Sequence, residues 1–462
     1  MLMPGRRWVW LSSPSKTILA RSTQDVNCAR SKGVGLVPNA SQTGPTRIYA
    51  WSVFALTFAL MLSDFVSRTV IFAIFPLLKT QWTLTDTQLG SLVAIVSLIV
   101  GTMSLPISVL ADRWGRARSV TAMAAVWGLA TMACGLSGGF VTLLIARAVI
   151  GLGEAGYGSC GGAILMQIFP SRVRSTIASA FLAAALFGSV LGVGLGGILA
   201  DQLGWRGAFY ASGALGVLLA LVYGVVVREP PATALQSNAE AAVRPAMRLR
   251  SIAVELFAKR AAVGAYLGFG FQCFAIFAVM AWLPSYFDRY YAMPTAEAGL
   301  KTALLILISG VGMIVCGHLV DRLGRRAWRN KMRVPAAYAL LSAVLLIAAF
   351  SVGTGPVQLA LLGAGLFVAG GTAGPSVAVV TDVIDPAIHA TALAVVALAS
   401  SLLGQAPGPF VTGILADALD LRTALQLAPL ISLPAAAAFA WGSRFYERDL
   451  HRAVTTAEGV RA

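Results

Sequence analysis

Residues 317–326 read Gly-His-Leu-Val-Asp321-Arg322-Leu-Gly324-Arg325-Arg326, and residues 108–116 read Ser-Val-Leu-Ala-Asp112-Arg113-Trp-Gly115-Arg116, with the two aspartates 209 positions apart. A second pair of segments, Gly197-Ile-Leu-Ala-Asp201 and Gly413-Ile-Leu-Ala-Asp417, is identical and lies 216 positions apart. Two unrelated segments that recur at nearly one offset mark a duplicated chain. Each Asp-Arg-x-Gly-Arg segment follows an apolar run, where glycine suits a tight turn and the cations suit a cytoplasmic loop. A duplication in the same orientation implies two halves related by an axis along the membrane normal, with a cavity between them.

The rest of the chain agrees with residence in lipid. Of 462 residues 57% are hydrophobic and 12% charged, and the mean hydropathy is +0.78, which excludes a soluble domain. At roughly 20 apolar residues per crossing there is room for about a dozen helices. Apolar runs fall at 48–77, 87–110, 118–137, 140–168, 175–199 and 206–227, then at 261–287, 298–320, 334–352, 356–381, 390–415 and 421–441. The expected organisation is a basic, disordered cytoplasmic tail (1–46), a six-helix half (47–227), a cytoplasmic linker (228–260), a second six-helix half (261–442) and a cytoplasmic tail (443–462). This is an all-α integral membrane fold of 12 transmembrane helices in two parallel repeats.

Charge distribution supports the same count. With both termini inside, 28 of the 35 Lys and Arg lie in inner tails and loops, as the retention of cations on the cytoplasmic side requires. Only Lys79, Arg206, Arg289, Lys301 and Arg422 fall outside. The loop between helices 10 and 11 is poorest in this signal, offering Asp382, Asp385 and His389. The net charge of +16 is thus a topology signal, and no nucleic-acid partner is expected. The five cysteines stand singly and the histidines lie at helix ends or in the tail, so no metal or disulfide framework is implied. Without a nucleophile constellation or a phosphate-binding GxxxxGK[ST] loop, an enzyme, an ATP-driven pump and any cofactor are not expected.

The Asp112 and Asp321 loops resemble the signature loop of the major facilitator superfamily, with Ser108 where the family has Gly. Arg147-Ala-Val-Ile-Gly151-Leu-Gly153-Glu154-Ala-Gly-Tyr157 in helix 4 and Arg228-Glu229-Pro230-Pro231 after helix 6 resemble its spinster-like branch. That branch sets an Asp-Arg pair side by side in helix 1, whereas this chain has Asp64 and Arg68. The resemblance implies the major facilitator fold around a central cavity, secondary transport by alternating access, and a cytoplasmic gate built from Asp112, Arg113, Gly115, Arg116, Asp321, Arg322, Gly324 and Arg325. It adds sphingoid or lysolipid-like cargo to the candidates.

Four ionisable residues fall inside apolar helices, where each charge costs at least about 2.5–3.5 kcal/mol. Asp64 and Arg68 share a face of helix 1, and Arg147 and Glu154 share a face of helix 4. A purely structural ion-pair network that locks helix 1 to helix 4 is one reading. The other is proton coupling, because a buried carboxylate whose arginine partner comes and goes can load and release a proton. On that reading Glu154 carries the proton, Arg147 is its partner, and Asp64 with Arg68 is a second pair or part of the substrate site. Helix 7 offers Gln272, Trp282 and several phenylalanines without a charge. Arg68, Arg147, Tyr157, Gln272 and Trp282 are therefore the candidate substrate lining, suited to an organic anion or amphipath. Glycines in helices 5 and 11 read as packing positions. The expectation is a monomeric, proton-coupled carrier of a small organic solute in a bacterial inner (plasma) membrane. A drug or lysolipid exporter, a uniporter and a transport-dead sensor are the alternatives.

Overall fold

The computed structural model describes residues 47–228, 249–385 and 388–459. The N-terminal tail, most of the linker and the Glu229-Pro230-Pro231 segment lie outside them. The spans are α1 (Arg47–Trp82), α2 (Asp86–Trp114), α3 (Arg116–Leu136), α4 (Phe140–Ile168), α5 and α6 within Thr176–Val226, α7 (Arg260–Tyr291), α8 (Thr295–Gly324), α9 (Asn330–Ser351), α10 (Pro356–Val383), α11 (Thr391–Ala418) and α12 (Leu421–Ser443). A final helix, α13, covers Tyr446–Gly459, and the described part of the linker forms a helix at Leu249–Ala258.

The expected break between helices 5 and 6 is narrower than the sequence suggests. One helix runs through Arg174–Val226 and is interrupted at Gly204 alone (φ 73°, ψ 164°), a conformation natural to glycine. That residue divides α5 (176–203) from α6 (205–226), which restores twelve crossings. Two spans contain a turn that the apolar pattern does not predict, and two others change helix type, α11 to a π-helix at Ser401–Gln405 and α12 to a 3-10 helix at Ala428–Ile431. α4 is interrupted between Glu154 and Tyr157, and α10 between Gly370 and Ala373, so equivalent helices of the two halves are broken at equivalent places.

Glycines let the helices meet backbone to backbone. A methyl built on Gly188 of α5 would stand 2.6 Å from Leu62 O of α1, and one on Gly90 of α2 would stand 2.5 Å from Pro409 O of α11. Neither leaves room for a side chain, so the packing expected of the helix 5 glycines holds the first seam, and a glycine of α2 meeting the α11 backbone holds the second. In α7, Trp282 Nε1 donates to Pro409 O (3.0 Å) and its ring lies 5.2 Å from Phe75 of α1, joining the halves through α1 and α7.

Candidate functional site

The four intramembrane charges do meet, in pairings that differ from those expected. Arg68 donates through Nη2 (2.8 Å) and Nε (3.1 Å) to Glu154 Oε2, joining α1 to α4. The Glu154 side chain is fully enclosed and that of Arg68 is 11% exposed, with its guanidinium 5.0 Å from the Phe65 ring. Arg147 does not pair with Glu154. It donates to Leu92 O (3.0 Å), Ser67 O (3.2 Å) and Arg68 O (3.2 Å), binding α4 to the backbones of α2 and α1. The reason is axial distance: seven residues span about 10 Å of helix, whereas Arg68 sits on a neighbouring helix at the depth of Glu154.

Asp64 completes the group without an ion pair. It is buried, its Oδ1 and Glu154 Oε1 receive no hydrogen bond from a donor among the described residues, and the two carboxyl groups lie within hydrogen-bond reach of each other, beside Arg68. Two carboxylates therefore flank one guanidinium. Tyr157, immediately beyond the α4 break, donates to Thr57 O (2.5 Å).

Most of the candidate lining is buried in this conformation. Arg147, Tyr157, Gln272 and Trp282 are fully enclosed, and their polar groups serve helix packing, Gln272 Nε2 donating to Ser342 Oγ at 3.1 Å. Of the five candidates, only Arg68 keeps measurable exposure. The Asp-Arg-x-Gly-Arg loops sit at the face where α1 begins, here the terminal face. Asp112 pairs with Arg116 (2.8 Å), across its own turn, and the Asp321 carboxylate makes no hydrogen bond or ion pair among the described residues.

At the opposite face the halves are bonded, which the sequence reading missed. Asp86, in the first turn of α2, receives Lys79 Nζ (2.6 Å) and both Nη atoms of Arg289 from α7 (2.8 and 2.5 Å). Asp417 of α11 accepts from Asp86 N and Thr87 N (both 2.7 Å), placing an anion on the N-terminus of α2. Two acids and two cations thus lock α2 to α7 and α11. Two signals pointed here: Asp417 ends the repeated Gly-Ile-Leu-Ala-Asp segment, and Lys79 and Arg289 are among the few cations on the cation-poor side.

The sequence model of the Major Facilitator Superfamily matches residues 56–409. The chain belongs to this superfamily, and with it to a class of membrane transporters rather than enzymes. It is 27% identical over 426 residues to an "MFS-type efflux pump" of Mycolicibacterium smegmatis, covering 89% of this chain and 96% of that one. It is 25% identical over 435 residues to human "Protein spinster homolog 1", covering 86% and 81%. The fold matches the crystal structure of a bacterial homologue of the human lysosomal transporter Spinster, in an inward-facing, unoccupied conformation. That match has a TM-score of 0.78 and 22% identity over 88% of this chain and 99% of that one. The spinster-like resemblance of helix 4 is thereby supported across the whole transporter body.

Proposed function

We propose that this transporter couples the movement of a small organic solute, an anion or amphipath, to protons by alternating access, with the terminal face cytoplasmic. The observation that carries the reading is the shared guanidinium: Arg68 holds Glu154 at 2.8 Å while Asp64, one turn away on the same face of α1, is left without a cation. When Glu154 takes a proton, Arg68 is released to Asp64 or to the acidic head of a substrate. When Glu154 loses the proton, Arg68 returns and the substrate's counter-charge disappears. Competition for one arginine thus links proton occupancy to substrate occupancy. Arg147 supports this by fixing the backbone of α1 at Ser67 and Arg68, so that Arg68 swings from a rigid base.

The bonded Asp86 cluster at one face, with Asp112 paired only to Arg116 of its own turn and Asp321 without an ion pair among the described residues at the other, favours an inward-facing state. In this reading the signature loops close the cytoplasmic side only in the opposite state. Efflux is the second direction to weigh, since a relative of nearly equal length is described as an efflux pump.

The test is a pH-dye assay in proteoliposomes, in which organic anions and amphipaths are screened against wild type, Glu154→Gln and Asp64→Asn. Solute-evoked proton flux in wild type should be abolished in Glu154→Gln, with solute exchange retained. Unchanged proton flux in both variants would remove proton coupling from this site.

A further inference from the structure

The described part of the linker, the helix Leu249–Ala258, presents two opposite sides. At about 100° of rotation per residue, Val254, Phe257 and Ala258 share one side, Leu256 stands nearly opposite, and Glu255 lies on a flank between them. Leu256 is buried at 4% exposure in the cluster that holds Ala261, Tyr266, Met332 and Val380, so its side packs on the second half. The other side is open: Val254 and Phe257 are each 59% exposed, and Ala258 is exposed as well. On the flank, Glu255 pairs with Lys259 at 3.5 Å. An open side whose described residues are all apolar, with ions beside it, is the pattern of a helix that lies in a bilayer surface.

The helix also lies at the depth such a role requires. Only Lys259, in an extended conformation (φ −82°, ψ 103°), separates it from α7, and the Phe257 ring meets Tyr266 edge-on at 6.3 Å. Tyr266 is about 9 Å along the axis from Arg260, where α7 begins, so the end of the linker helix sits beside α7 at that level. With 32 residues α7 is about 48 Å long, against about 40–45 Å for a bilayer with its headgroups. Its second turn, and Phe257 with it, therefore falls near the boundary of headgroups and acyl chains.

We propose that the Leu249–Ala258 helix is an interfacial anchor, which seats Val254 and Phe257 in the bilayer surface at the terminal face and takes anionic phospholipid headgroups as its polar partner. Charge selects the headgroup. Residues 244–260 carry Arg244, Arg248, Arg250, Lys259 and Arg260 against the single acid Glu255, and a basic segment beside a span attracts an anionic leaflet. Arg260 is exposed at the same end of the helix as Phe257, with its guanidinium 4.9 Å from the Phe445 ring. Through Leu256 the anchor is fixed to the second half. The inference is independent of proton coupling and of the direction of transport.

The test replaces Phe257, and separately Glu255, by photoreactive benzoylphenylalanine in the full-length protein, in vesicles of phosphatidylcholine and phosphatidylglycerol, and identifies by mass spectrometry what each captures on irradiation. Position 257 should capture phospholipid, with phosphatidylglycerol enriched about fivefold over its share of the vesicle, as one basic residue at the surface provides. Position 255 should capture several-fold less. A second measurement uses nitroxide labels on Val254→Cys and Glu255→Cys. The described native cysteines are buried, and Cys28→Ser removes the remaining one, so labelling is selective. The Val254→Cys label should be relaxed by oxygen and shielded from a water-soluble nickel chelate, and the Glu255→Cys label the reverse. A Val254→Cys label open to nickel would overturn the anchor. So would a label shielded from both agents together with capture of protein at 257, which would mean that the chain itself covers this side. Lipid capture without phosphatidylglycerol enrichment would overturn the anionic partner.

Discussion

The segments Gly197–Asp201 and Gly413–Asp417 are identical in sequence, yet the structure uses their aspartates differently. Both glycines serve close seams between the halves: a methyl on Gly197 would stand 2.7 Å from Thr295 O of α8, and one on Gly413 would press still closer on Asp86 O of α2. Only Asp417 goes on to bind across its seam. Asp201 is exposed and makes no hydrogen bond or ion pair among the described residues. The charges on the opposing helices explain this. At α2, the first-turn Asp86 is matched by two cations, Lys79 and Arg289, so the cluster accommodates a second acid. At α8, the first-turn Glu297 has Lys301 at 2.7 Å, and that cation is already engaged. The duplicated backbone sets the seam, and the unduplicated charges decide which seam is locked.

Removing the acid at the centre of the lock should have the largest effect. Asp86→Asn strands Arg289 and Lys79, and breaking a buried pair from one side costs about 3–5 kcal/mol. Their side chains are 25% and 35% exposed, which keeps the effect at the lower end. The population with this face open should rise by at least about a hundredfold. Spin-label distances across the α2–α11 seam would report it, and an unaltered distance distribution would mean that the cluster does not hold the state. A smaller shift is expected for Asp417→Asn, which keeps an acceptor and loses charge-assisted bonding, at about 1 kcal/mol or roughly fivefold. Its twin, Asp201→Asn, should stay within about 0.5 kcal/mol. Equal shifts in the two variants would erase the distinction drawn here.

Asp420 sharpens the comparison from the side of stability. It caps α12, accepting from Thr423 N at 2.7 Å, and that backbone N–H holds its carboxyl below the ordinary aspartate range. Asp420→Ala should cost about 1 kcal/mol in thermal unfolding, with the seam distances unchanged. Because the folded value is depressed, the contribution is complete above the unfolded value of about 3.9 and disappears as pH falls through the folded value. The difference between wild type and variant should therefore be constant between pH 5 and 8 and fade only in strong acid. A difference that grew on acidification would contradict the capping role.

Much of the architecture was legible beforehand because it rests on local rules. Twelve apolar runs, cation placement and the two repeated segments each follow from how a helix meets lipid. The candidate site was legible only as a set of residues. Asp64, Arg68, Arg147 and Glu154 stand out because charge is rare in apolar helices, but spacing along one helix suggested partners within α1 and within α4. The pairing across helices, Arg68 with Glu154, depends on the relative depth and rotation of α1 and α4. Gln272 and Trp282 make helix contacts in this conformation, and an apolar stripe with one amide suits a cavity and a helix contact equally well.

The sequence by itself determined that this chain crosses a membrane about a dozen times, that it is duplicated, and that the few charges inside its apolar helices lie in the first half. Hydropathy, charge placement and repetition are properties of the linear chain. Only the tertiary structure decided which cation each acid receives, and that Asp417 locks one seam while Asp201 leaves the other unbonded. Each of these depends on atoms far apart in the chain coming within about 3 Å, a distance that helix packing sets and no spacing along a single helix encodes.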